Sequence, residues 1–168
     1  NFLNDHVLNI GPLGVTGSNS ANTIAEQADV ILAVGTRLQD FTTGSWTAFA
    51  KEAHIIGVNV GRHDAAKHMS RTIVGDAKLA LLALGRAVYG YSAPKVWTEF
   101  AKNERFKWSG FVTENTRLDN GPSSYAQAIG IVNELCDPRD RVVAAAGGLP
   151  AEVTANWKTR NIGTVDVE

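Results

Sequence analysis

Two glycine-rich segments carry the residues best able to bind a ligand through the backbone. The first spans residues 11–18 and precedes a predicted helix. The second is Gly147-Gly148-Leu149-Pro150, which lies between a predicted strand and a predicted helix. Backbone N–H groups with no side chain beside them can approach a phosphate closely, and the positive end of the following helix favours an anion. Both segments are therefore candidate phosphate-binding loops.

A structural turn is the alternative for the first segment, and its spacing favours that interpretation. Gly11, Gly14 and Gly17 do not form the G-x-G-x-x-G dinucleotide fingerprint, and no strand precedes them. The loop that begins at Gly147 differs because it directly follows a predicted buried strand, where a backbone amide can reach a diphosphate. A lone Gly-Gly pair is weak evidence for phosphate binding, so its interpretation depends on the segments around it.

Polar side chains near the predicted strand ends suggest weaker sites. Arg37 and Asp40 can bind the ribose or phosphate of a ligand. We favour instead that they pair with each other or with a neighbouring domain. Asn59 stands where an NAD-binding fold places a carboxylate, which argues against a free-standing dehydrogenase. The three histidines of this region lack metal-ligand spacing: His54, His63 and His68. Cys136 has no nearby histidine and is interpreted as a passive thiol.

Alternating strand and helix patterns position these candidates. Short apolar runs predict buried parallel strands at 30–34, 54–60, 72–75 and 141–146, with another beginning at 163. Helices are predicted at 21–27, 64–68, 77–88, around 97–101, from 124 and at 151–157, with a helical turn at 47–52 and an exposed linker at 115–122. The fold class is therefore α/β, a Rossmann-like doubly wound parallel sheet followed by the start of a second α/β domain. Residues 1–10 are expected to be irregular or poorly tied down.

Composition excludes several classes of protein. The apolar share of 44% and the charged share of 20% are typical of a globular protein. A net charge of −1 does not favour binding to nucleic acid or to an anionic membrane surface. No apolar run approaches the roughly 20 residues that span a bilayer. The single cysteine fits a reducing cytoplasm, so we expect a soluble cytoplasmic protein.

The order and wording of several segments resemble one enzyme family. Residues 14–22, 28–44 and 59–78 are similar, in that order, to the middle domain of thiamine diphosphate enzymes related to acetolactate synthase. Residues 40–45, 64–68 and 133–152 most resemble the branch of hydrolases that open a cyclic trihydroxy 1,2-dione in inositol catabolism. The resemblance implies a middle domain at residues 1–91, a linker with a helix at 92–121, and the beginning of a thiamine diphosphate-binding domain at 122–168.

The resemblance also implies cofactors and partners. The family binds thiamine diphosphate and Mg²⁺, and the matching cofactor contacts here are Gly147, Gly148, Leu149 and Pro150. The family's activating glutamate and Gly-Asp-Gly metal motif match nothing in this sequence, so no catalytic or metal-binding residue is expected here, and the chain alone should be inactive and bind cofactor weakly. The implied substrate is a small cyclic dione and the implied assembly a homodimer or homotetramer. The alternatives are an acetolactate synthase-like carboligase and a non-catalytic nucleotide-binding module. The acetolactate synthase branch tends to carry an acidic residue where this sequence has Gly61-Arg62-His63, which argues against flavin binding by the middle domain.

Overall fold

A parallel three-stranded sheet forms the first part of the chain. The structure, a computed structural model, describes residues 3–167, without the side chain of the last of them. The strands are β1 (Val30–Val34), β2 (His54–Asn59) and β3 (Arg71–Val74), in that spatial order. All pairings are parallel, with Leu32 opposite Ile56 and Val58 opposite Ile73. The three predicted strands are therefore confirmed, with bounds shifted by one residue at most.

Short helices connect these strands. They are α1 (Asn19–Gln27), α2 (Asp40–Thr43), α3 (Arg62–Ala65), a 3-10 turn (Lys67–Met69) and α4 (Ala77–Ala87). Ser18 caps α1 by accepting from the backbone N–H of Ala21, and Asp76 caps α4. The predicted helical turn at 47–52 is wrong, because the helix lies earlier, in α2. Phe49 of this segment is nevertheless buried, in a core with Ala25, Ala33 and Leu38.

The inward face of α4 is not the one that the spacing of its leucines suggests. Leu79 and Leu82 are 67% and 53% exposed, although their spacing suggested a buried stripe. The half-buried residues of α4 are Ala77, Ala80 and Leu84, which follow one another at helical spacing. Because α4 is apolar almost all round, its pattern does not fix which face meets the sheet.

A long helix, α5 (Lys95–Thr116), joins the two parts of the molecule. It packs against α1, α6 (Tyr125–Leu135) and α7 (Leu149–Asn156). Its buried residues recur at helical spacing: Ala101, Glu104, Trp108 and Val112. The sequence predicted only a helix around Trp97 here, so α5 is much longer than expected.

The second part is a small β-α-β unit. β4 (Val142–Ala144) pairs in parallel with β5 (Val165–Val167), and α7 connects them. Ile129 of α6, Ala144 of β4 and Val153 of α7 form its core. The predicted strand, tight loop, helix and strand are confirmed in order, and the fold is the expected Rossmann-like α/β type with parallel sheets.

The segment before the first glycine loop is irregular but firmly held. The backbone N–H of Asn4 donates to the carbonyl oxygen of Thr159 at 3.0 Å, and the N–H of Thr159 donates to Asn4 Oδ1 at 3.1 Å. Arg105 donates to the carbonyl oxygens of Asn4 and His6. The prediction of an irregular segment is therefore confirmed for residues 3–10, which hydrogen bonds nevertheless hold in place, while residues 1 and 2 lie outside the described residues.

Candidate functional site

The loop at Gly147 leaves β4 at its carboxyl end and enters α7. Gly147 has a φ of +133°, a backbone conformation that strongly favours glycine. A Cβ built on Gly147 or Gly148 would meet no atom within 4 Å. The loop is exposed from residue 145 to Leu149, whereas Pro150 is buried in the first turn of α7. The space beside both glycines is therefore open to a ligand.

The backbone amides of this loop are free. Gly147, Gly148 and Leu149 donate to no acceptor among the described residues. α7 lacks a side-chain cap, so its first N–H groups are not satisfied by the chain itself. Free amides at the positive end of a helix are suited to a phosphate or diphosphate. The four predicted cofactor-binding residues therefore lie together in a loop that fits such a group.

The loop at residues 11–18 has the opposite character, because most of its amides are already used. The side chain of Asn22 accepts from the N–H of Gly14 at 2.9 Å and donates to the same residue's carbonyl oxygen at 3.0 Å. Val15 donates to the carbonyl oxygen of Phe41 at 2.8 Å, and Ser18 donates to that of Pro12 at 2.8 Å. This segment is a structural turn, as its spacing favoured, rather than an open phosphate cradle.

The polar residues after β1 and β2 hold the strand ends rather than a ligand. Lys67 Nζ donates to the carbonyl oxygen of Arg37 at 2.9 Å and pairs with Asp64 Oδ1 at 2.8 Å. The hydrogen bond from Lys67 is the main cause that lowers the pKa of the Asp64 carboxyl. Within residues 3–167, Arg37 and Asp40 make no ion pair with each other. Lys67 was missed by the sequence reasoning, although its three-residue spacing from Asp64 is a signal for a helical ion pair.

Asn59 bridges two strand ends. Its Nδ2 donates to the carbonyl oxygen of Thr36 at 3.1 Å, and its Oδ1 accepts from the N–H of Gly61 at 2.9 Å. An amide suits this place because it supplies both a donor and an acceptor, which a carboxylate does not. Asn59 is thus explained by the fold itself.

The histidines and the cysteine form no metal centre. Within the described residues, no three His, Cys, Asp or Glu side chains lie close enough to hold a metal ion. His68 stacks on the ring of Trp46, and desolvation is the first cause that lowers its pKa. Cys136 lies 3.1 Å from the guanidinium of Arg160, which also donates to the carbonyl oxygens of Asn133 and Cys136. Arg160 therefore ties the end of α6 to the segment after α7. Across residues 3–167, no helix has the length and apolar character needed to cross a bilayer.

Comparison with known proteins agrees with this architecture. The sequence profile of the family described as thiamine pyrophosphate enzyme, central domain, matches residues 1–84. Thiamine pyrophosphate is thiamine diphosphate. Two relatives named 3D-(3,5/4)-trihydroxycyclohexane-1,2-dione hydrolase are 35% identical to this chain. The alignment with the Clostridium perfringens protein covers 92% of this chain and 28% of that protein. The alignment with the Geobacillus thermodenitrificans protein covers 97% of this chain and 29% of that protein. A Bacillus cereus protein of the same name, numbered 2, is 34% identical over 97% of this chain and 29% of its own length.

The chain therefore spans less than a third of the length of the curated relatives it matches. The family match covers the β1–β3 sheet and α4, up to residue 84. The alignments with the relatives run on into the part that holds the loop at Gly147. The parallel α/β fold and this match together place the chain in the family of thiamine diphosphate enzymes, with their central domain at residues 1–84.

Proposed function

We propose that this chain forms part of a thiamine diphosphate-dependent hydrolase that opens the ring of trihydroxycyclohexane-1,2-dione to 5-deoxy-glucuronate in myo-inositol catabolism. One observation carries the proposal: relatives named for this hydrolase align with 97% of the chain. Because so little of the chain lies outside such an alignment, the alignment must include Gly147 and Gly148. The likeness therefore includes the loop whose geometry suits a diphosphate.

The loop residues have distinct roles in the proposed site. The free amides of Gly147, Gly148 and Leu149 hold the diphosphate, because no described acceptor competes for them. Pro150 lies at the start of α7, where its fixed φ favours a helix and its missing N–H costs nothing. The absence of Cβ atoms at both glycines leaves the space that the phosphate oxygens need.

Thiamine diphosphate, when bound, supplies the chemistry that cleaves a carbon–carbon bond next to a carbonyl, and the protein orients it. In this chain the loop at Gly147 holds the diphosphate end, and the buried packing of Pro150 and Val153 fixes the direction of α7. We propose that Mg²⁺ accompanies the diphosphate and assign no ligand to it among the described residues. No side chain of this chain is assigned a proton-transfer role.

The remaining parts of the proposal concern organisation and partners. We place the middle domain at residues 1–91, the linker helix at 92–121 and the beginning of the cofactor-binding domain at 122–168. The substrate is a small cyclic dione and the assembly a homo-oligomer. A net charge of −1 and a single cysteine support a cytoplasmic enzyme without a nucleic-acid or membrane partner.

A segment exchange tests the function. The aligned segment of the Geobacillus thermodenitrificans relative is replaced by this chain, and the chimera is assayed with thiamine diphosphate and Mg²⁺ for ring opening of the dione. The same preparation is assayed for acetolactate formation from pyruvate. We expect ring opening and no acetolactate. A folded chimera that forms acetolactate instead would support the carboligase, and one that binds the cofactor without either activity would refute the hydrolase.

A pair of matched variants tests the loop within that chimera. Gly148 has a right-handed helical backbone and open space at its Cβ, so Gly148→Ala should leave stability unchanged. The added methyl group enters the proposed diphosphate space, and we expect about tenfold weaker cofactor affinity, roughly 1.4 kcal/mol. Gly75 occupies the equivalent strand-to-helix junction before α4 and is equally open, so Gly75→Ala is the control. Equal affinities for both variants would remove this loop from the cofactor site.

A further inference from the structure

A cavity separate from the glycine loop lies where the two parts of the molecule meet. It has a volume of about 430 Å³ and is lined by the start of α1, the middle of α5 and Ala155 of α7. Cavities of roughly 300–1,000 Å³ accommodate small-molecule ligands. None of the four residues assigned to the cofactor borders it.

Glu104 brings an incompletely paired carboxylate to this cavity. The residue is 4% exposed, yet its only described partner is Lys107, which is bound through Oε1. The Lys107 side chain is itself 68% exposed. Glu104 Oε2 has no partner among residues 3–167. A buried carboxylate is costly unless its oxygens are hydrogen-bonded, so this oxygen calls for a donor.

Trp108 adds a second unsatisfied group one helical turn further along α5. The residue is 6% exposed and lines the same cavity. Its indole Nε1 is buried and has no hydrogen-bond acceptor among the described residues. Residues four apart on a helix lie side by side, so the Trp108 ring borders this cavity next to Glu104, while its Nε1 is covered by the protein.

The opposite wall is polar and uncharged. Asn19, Ser20 and Thr23 of α1 contribute an amide and two hydroxyl groups. The charges of Glu104 and Lys107 cancel, so the lining offers no net attraction to an anion or a cation. Phe111 adds an aromatic surface at the same cavity.

We propose that this cavity binds a small neutral polyol. A hydroxyl group both donates and accepts, so one ligand with neighbouring hydroxyls can donate to Glu104 Oε2 and accept from a hydroxyl group of the facing wall. Further hydroxyls meet Ser20 and Thr23 across the cavity. A neutral ligand fits better than phosphate or an amine, because the pairing of Glu104 with Lys107 leaves neither ion a free counter-charge.

Nitrogen-15 NMR of the indole groups tests this binding directly. The Trp108 indole N–H signal is assigned with a Trp108→Phe variant and followed during titration with sorbitol and with glucose. Sodium phosphate and ethanolamine are the anion and cation probes. We expect a saturable shift of the Trp108 signal with at least one polyol and none with the other two probes. No saturable shift with either polyol would mean that the cavity does not bind a polyol, and a preference for phosphate or ethanolamine would equally overturn the proposal.

The same helix supplies a matched control for the carboxylate. Glu99 pairs with Lys102 at the same three-residue spacing, but its side chain is 64% exposed. We expect Glu104→Gln to weaken polyol binding about tenfold and Glu99→Gln to leave it unchanged. Should Glu104→Gln fail to fold by circular dichroism, Thr23→Val removes a hydroxyl from the facing wall at nearly constant volume. Unchanged binding in the folded variant tested would refute the site.

Discussion

Replacing Gly14 with alanine is expected to destabilise this chain strongly, because the backbone conformation and the space around this position both require glycine. Gly14 has a φ of +115°, which an L side chain rarely adopts. A Cβ at this position would lie 2.2 Å from the carbonyl oxygen of Phe41 and 2.8 Å from the Cα of Thr42. Both neighbours are backbone atoms, so no side-chain rotation relieves the overlap.

The magnitude follows from two separate costs. A non-glycine residue held in a sparsely populated backbone region costs about 1–3 kcal/mol. The Phe41 carbonyl must also move away, which breaks the 2.8 Å hydrogen bond from Val15, worth about 1 kcal/mol. The free energy of unfolding should therefore fall by about 2–4 kcal/mol, the sum of these terms. A domain of this size loses about 2–4 °C in Tm per kcal/mol, so Tm should fall by roughly 4–16 °C.

Gly85 provides the control because the same substitution there has the opposite sign. It lies inside α4 with nothing within 4 Å of its Cβ, and alanine is favoured over glycine in a helix by about 0.8–1 kcal/mol. Urea unfolding followed by circular dichroism measures both variants against the parent chain. A Gly14→Ala variant within about 0.5 kcal/mol of the parent, the range of an ordinary surface substitution, would refute the packing of the two loops.

Three further outcomes follow from individual contacts. Ser124→Ala should lower the stability of α6 by about 1 kcal/mol, because the capping box that Ser124 forms with Gln127 is lost. Ser123→Ala should leave the stability unchanged, and thermal unfolding of both variants tests this difference. Arg105→Gln should accelerate amide hydrogen exchange in residues 3–10, since two carbonyl contacts are removed; unchanged exchange would contradict the anchoring. The pKa of His68 is lower in the folded chain than its ordinary value of 6.5, so the unfolded chain takes up the proton first. Lowering the pH below 6.5 should therefore reduce stability. Urea unfolding midpoints measured from about pH 7.5 to 5 should depend less on pH in the His68→Gln variant than in the parent. The fluorescence of Trp46 should change over the same pH range in the parent only.

Local pattern was sufficient for the strands but not for the buried side of every helix. The apolar run that became β1 is bounded by polar residues and glycine, so its ends were predictable. α4 was predicted as a helix, yet its leucines and alanines surround the axis, so tertiary packing decides which side is buried. α5 was underestimated because its polar outer face hides the spacing of Trp108 and Val112.

The candidate site shows the same division between local and distant information. The sequence indicated that Gly147 and Gly148 lie between a strand and a helix, and this position is confirmed. Their binding of a cofactor stays a prediction. Whether the amides of a glycine loop are free depends on atoms far away in the sequence. At Gly14 the decisive partners are Asn22 and the carbonyl region of Phe41, which no spacing rule within the loop identifies.

The bonds between Asn4 and Thr159 impose an order on how the chain acquires its structure. These residues are 155 positions apart. At a synthesis rate of about 5–20 residues per second, roughly 8–30 s separate the appearance of the two partners on a ribosome. Throughout that interval residues 3–9 lack their Thr159 anchor, while local elements such as α1 can already form. Residues 3–9 thus gain their Thr159 contacts long after they are made, and later than their contacts with Arg105 become possible.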